Sequence, residues 1–94
     1  MALHIDELRK LCTDDTIIMT AHVIKRCRER NIDSDSIIKV IMQGEIIKQY
    51  EDDKPFPCCL LLGLSINGKY LHVVVASDNI NLHIIAAYYP GIDG

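Results

Sequence analysis

CCLLLGLSINGKYLHVVVA, residues 58–76, sets two apolar runs on either side of Asn67-Gly68. Both turn residues tolerate positive φ, and this dipeptide between apolar runs is the strongest short-range hairpin signal a sequence offers. A two-residue turn pairs Leu71 with Leu64, His72 with Gly63 and Val73 with Leu62. In that register Leu60, Leu62, Leu64, Leu71, Val73 and Val75 share one face, an apolar wall for helices to cover. The other face carries Cys59, Leu61, Gly63, Ser65, Tyr70, His72 and Val74, with small residues around the imidazole.

Downstream, Ser77-Asp78-Asn79 reads as a second turn and Asn81 to Tyr89 as a further strand, ended by Pro90. A two-residue turn at Asp78-Asn79 puts Leu82, Ile84, Ala86 and Tyr88 on the covered face, and His83 and Tyr89 beside His72. A shift of one residue exchanges the two tyrosines. Upstream, Glu45 to Glu51 is a short strand, joined to the hairpin by the Pro-containing loop 52–57.

Before that strand the apolar period changes from two to three or four. His4 to Cys12 places Ile5, Leu8, Leu11 and Cys12 on one stripe, and Thr13-Asp14-Asp15 breaks it. Thr20 suits the N-cap of a helix over Ala21 to Arg30, with Val23, Ile24 and Cys27 as its apolar side and Asn31 as a left-handed terminator. Ser34 or Asp33 caps a third helix, in which Ile37, Ile38, Ile41 and Met42 recur until Gly44 stops it. The expectation is an α+β fold in one domain, residues 1–94. Two to three N-terminal helices (about 4–43) pack on one face of a four-stranded antiparallel sheet (about 45–89).

Composition narrows the function classes. Ile, Leu, Val and Phe supply 30 of 94 residues, too many for a disordered chain. No apolar run approaches the ~20 residues that span a bilayer, and the N-terminus is charged, so a soluble cytoplasmic domain without membrane contact is expected. The net charge of −3 argues against indiscriminate nucleic-acid binding. It is unevenly spread, because residues 20–30 hold Lys25, Arg26, Arg28 and Arg30 against Glu29 alone. Cys12, Cys27, Cys58 and Cys59 show no metal-ligand spacing and read as buried thiols; no metal and no cofactor is expected.

Two features could carry chemistry. His22, Arg26 and Arg30 recur every four residues and line one stripe of the second helix over roughly 12 Å. Such a stripe can follow successive phosphates of one strand, with Arg gripping a phosphate through two N–H groups. Histidine can also take up or give a proton near neutral pH. The plain alternative is a solvated charged stripe whose arginines complement the helix dipole. His72, flanked by Leu71 and Val73, is the second candidate, against the alternative of a partly buried structural imidazole. Tyr88, in Tyr88-Tyr89-Pro90, ends the last strand, where a phenol can donate to a phosphate or close a core edge.

The segment MTAHVIKRCRERNIDSDSIIKVIMQGEIIKQY, followed by PFPCCLLLG, GKYLHVVVA and IIAAYYP, resembles a bacterial and archaeal family of unknown function. Its members read HAxxRxxERGI, GEIIExY, LHVV and IITxYxP in this order, and the resemblance covers about residues 19–90. That family is similar to RelE- and BrnT-like toxins, metal-independent ribonucleases of toxin–antitoxin pairs. The resemblance implies a toxin that cleaves RNA and pairs with an antitoxin protein. It puts His22, Arg26, His72 and Tyr88 in catalysis and Arg30 in substrate binding. Asn31 replaces the family glycine, and Ala86 replaces a threonine, removing a hydroxyl. The alternative is a non-catalytic binding module for a protein or nucleic acid, which Ala86 and the acidic balance favour. A homo-oligomer through an edge strand is a further expectation.

Overall fold

The computed structural model describes residues 2–91. In chain order it contains α1 (Ile5–Lys10), β1 (Ile17–Met19), α2 (Ala21–Glu29), α3 (Ser34–Gln43), β2 (Glu45–Tyr50), β3 (Cys58–Leu64), β4 (Tyr70–Ser77) and β5 (Leu82–Tyr88). The α+β class and the three helices match the sequence expectation. The sheet does not: it has five strands in the order β1-β5-β4-β3-β2, and β1 runs parallel to β5. β1 carries no sequence signal, because Ile17–Met19 is too short for a periodicity to show. It is held by long-range pairing of Ile17 with Leu82 and Met19 with Ile84.

The helix ends follow the capping chemistry. Thr20 Oγ1 accepts the Val23 N–H (3.2 Å), and Asp33 Oδ1 accepts the Ser36 N–H (2.8 Å), so Asp33 rather than Ser34 is the cap of α3. Asn31 has φ 58°, the left-handed conformation that lets the chain turn after α2. Gly44 ends α3 for a different reason: its φ is −84°. A Cβ there would lie 2.5 Å from the carbonyl oxygens of Leu62 and Val40. The helix end can approach the β3 backbone only without a side chain. No basic residue sits in the last turn of α3, and Arg9 of α1 supplies one, with Nε donating to Ile41 O (3.1 Å) and Nη2 to Gly44 O (3.0 Å).

The central hairpin turns through three residues, not two. Ser65 N–H donates to Lys69 O (2.8 Å), Gly68 N–H donates to Ser65 O (3.0 Å), and Gly68 has φ +80°. The extra residue moves the register by one, so Leu71 lies opposite Gly63 and His72 opposite Leu62. The faces of β4 are as expected, whereas those of β3 are reversed. Cys59 and Leu61 point into the core, and Leu60, Leu62 and Leu64 lie on the helix-free face.

A second shift occurs in β5. Leu82 and Ile84 face the core as expected, but Val75 pairs with Ile84 and Val74 with Ala86, leaving Ile85 as a bulge. Beyond it Ala87 enters the core and Ala86 leaves it. Tyr88 lies opposite His72, and Tyr89 turns toward the helices, its Oη donating to Asn31 O (3.3 Å). The tyrosines have exchanged sides through a bulge inside the strand. One apolar cluster then joins Leu8, Val23, Cys27, Ile32, Ile37, Val40 and Ile41 from the helical half to Cys59, Leu61, Leu71, Val73, Val75, Leu82, Ile84 and Ala87 of the sheet. Among the described residues no helix is long and apolar enough to cross a membrane.

Candidate functional site

β1 covers only the first part of β5, since its pairing ends at Met19–Ile84. The chain leaves β1 through Thr20 directly into α2, which runs beside the uncovered remainder of β5. Val23 faces inward and anchors the helix in the core, while His22, Arg26 and Arg30 remain exposed. Between α2 and β5 lies a cleft of about 240 Å³ lined by His22, Val23, Arg26, Arg30, Ile85, Ala86 and Ala87. The helical spacing therefore places all three stripe residues in one hollow.

The three are not equivalent. Arg30 Nη1 donates to Ala87 O at 2.9 Å, which satisfies a carbonyl on the strand edge and fixes the guanidinium. His22 and Arg26 make no side-chain hydrogen bond or ion pair among the described residues, where the single ion pair is His83 with Asp78. An imidazole and a guanidinium one helical turn apart, with donors unspent, can hold a phosphate group and move a proton at it.

His72 and Tyr88 are elsewhere. They sit on the helix-free face as a cross-strand pair, with ring centroids 5.3 Å apart and planes at 81°. This edge-to-face arrangement is the favoured contact of two rings. Leu62 flanks the imidazole on its other side. The space expected from an opposing Gly63 is absent, because the register differs by one. His72 Nδ1 is buried and has no hydrogen-bond partner among the described residues. Neither residue lines the cleft. The structure thus unites His22, Arg26 and Arg30, and separately unites His72 with Tyr88.

A third cluster, absent from the sequence expectations, gathers around His83. His83 Nε2 lies 3.1 Å from Asp78 Oδ2, and the His83 ring stacks on Phe56 of the 51–57 loop at 6.0 Å. Asp78 also accepts the backbone N–H groups of Asn81 (2.6 Å) and Ile80 (2.9 Å). The Asn81 N–H above all, then His83 and Ile80, hold its carboxyl down at about 2. An Asp at the head of a turn was the available signal, and the Phe56 contact had none. The cysteines are free thiols, and burial raises the pKa of each, Cys59 to about 12. They remain protonated, which suits core packing and opposes a nucleophilic role. No cluster of three or more His, Cys, Asp or Glu side chains with metal-binding geometry occurs among the described residues.

A family model matches residues 19–89, from the last residue of β1 to the residue after β5. The chain belongs to DUF4258. This family is described as a domain of unknown function, so membership alone assigns no activity. The DUF4258 match contains the whole cleft and the His72–Tyr88 pair, and leaves α1 outside. No curated protein and no solved structure matches the chain.

Proposed function

We infer that this DUF4258 chain is a metal-independent RNA endonuclease of the toxin type, working at the cleft between α2 and β5. The observation that carries this reading is the pair His22 and Arg26, side by side at the cleft and bonded to nothing else among the described residues. Cleavage by internal attack requires a base, a group to stabilise phosphate charge, and no metal. His22 takes the ribose 2′-OH proton as the oxygen attacks the adjacent phosphorus. Arg26 holds the non-bridging oxygens as their charge grows. The bond to the 5′-oxygen breaks, and that oxygen takes a proton from solvent at this open site. The products are a 2′,3′-cyclic phosphate and a 5′-hydroxyl. Arg30, anchored on Ala87, steadies the strand edge and directs its remaining donors to a neighbouring phosphate. In this account His72 and Tyr88 serve as scaffold. The partner that such an enzyme calls for is an antitoxin protein covering the α2 stripe.

One observation favours a second reading, a non-catalytic RNA-binding module: Ala86, which lines the cleft, stands where the motif it resembles has a threonine and its hydroxyl. Incubating purified protein with RNA in EDTA separates the two. Fragments ending in 2′,3′-cyclic phosphate, lost with His22→Ala and Arg26→Ala, support the nuclease. Retention of intact RNA that Arg26→Ala abolishes supports the module. Neither cleavage nor retention would overturn both.

A further inference from the structure

On the side of α2 away from the basic cleft, two adjoining hollows of about 310 and 400 Å³ share Met19, Ile24, Ser34 and Ile37. They form one groove between α2 and α3, with β1 contributing to its floor. Asp14, Ile17 and Ile38 line one end; Cys27, Arg28 and Ile32 line the other. Cys27, Ile32 and Ile37 are buried at its base, while Ile24 stands on the rim 43% exposed. Ser34 is the one polar side chain between the two charged ends. Neither Asp14 nor Arg28 makes an ion pair or side-chain hydrogen bond among the described residues.

We propose that this groove docks an amphipathic helix of a partner protein, with the helix N-terminus at Asp14 and its C-terminus at Arg28. The apolar floor takes side chains spaced i, i+3 or i+4, i+7, the set a helix presents along one face. The charges select a helix over an extended peptide. A helix carries about half a positive charge at its N-terminus and half a negative charge at its C-terminus, whereas strands have little net dipole. A carboxylate at one end and a guanidinium at the other complement that dipole in one direction only. The groove and the basic cleft share α2 but open on different sides of it, so the inference is independent of any reaction at His22.

The test uses a displayed library of helical peptides of about 14 residues, selected on the folded protein and counter-selected on Ile24→Glu. The substituted side chain is on the rim, so the variant keeps its fold, which its melting curve verifies. The expected products carry three apolar anchors at helical spacing. They bind Ile24→Glu at least tenfold more weakly than the parent protein, and Asp14→Lys or Arg28→Glu about threefold more weakly. A nitroxide on the first residue of a selected peptide should broaden amide resonances around Asp14 more than those around Arg28. Absence of enrichment over Ile24→Glu, equal binding to all the variants, or broadening centred on Arg28 would overturn the proposal. Cleavage of RNA by Ile24→Glu, measured separately, reports on the cleft alone.

Discussion

His22 and His72 contrast the cleft region with the helix-free sheet face, and their surroundings differ in almost every respect. His22 stands on a helix, exposed, beside a guanidinium one turn away, with no group of the described residues bonded to its side chain. His72 lies in mid-strand between Leu62 and Tyr88, with a buried Nδ1 that finds no partner among the described residues. One ring has access, a charged neighbour and free donors; the other has packing. Chemistry on a phosphate needs the first set of properties, and a sheet face needs the second.

The largest expected effect tests that contrast directly. Under the proposed function, His22→Ala and Arg26→Ala should each lower the RNA cleavage rate at least about 100-fold, some 2.7 kcal/mol of transition-state stabilisation. Both positions are exposed, so melting temperatures should stay put. Comparable loss with His72→Ala in a protein that melts normally would break the contrast. A second experiment tests the helix end behind the β3 strand. Gly44→Ala forces a methyl group against two backbone carbonyls and should cost about 2 kcal/mol in denaturant unfolding.

His72→Leu is expected to go the other way. It removes an unsatisfied buried nitrogen and keeps most of the ring's apolar contact, so stability should hold or rise by about 1 kcal/mol, with RNA cleavage retained. The smallest effect concerns Asp78. Its carboxyl is held at about 2 in the folded protein against 3.8 ordinarily, so its contribution is present above pH 4 and fades as the pH falls toward 2. Asp78→Asn should lower stability slightly above pH 4, flatten the profile across that acid window and converge with the parent near pH 2, as thermal melts at stepped pH will report.

Local chemistry was the part of the fold that could be read in advance. Thr20 and Asp33 act through bonds to neighbours three residues away and Asn31 through its own backbone conformation, and all three stand where their residue types suggested. The apolar spacing of α2 and α3 was equally local. What escaped depends on partners far along the chain. Asn67-Gly68 does turn the hairpin, but the Ser65–Lys69 bond includes Ile66 in the loop, and one residue of difference reversed every side chain of β3. The bulge at Ile85 carries no distinctive residue, and it alone brings Tyr88 to His72. The site shows the same division. The four-residue spacing brought His22, Arg26 and Arg30 together correctly, whereas grouping them with His72 required a sheet register that side-chain alternation could not supply.

Thr20 has a mechanical meaning beyond its cap. The same three residues of β1 that hydrogen-bond to β5 are joined through this single residue to the helix bearing His22, so the two sides of the hollow hang from one strand. Arg30 ties the far end of that helix to β5 at Ala87. A molecule entering between them meets jaws already set at a fixed gape, and loses little motional freedom of the host on arrival.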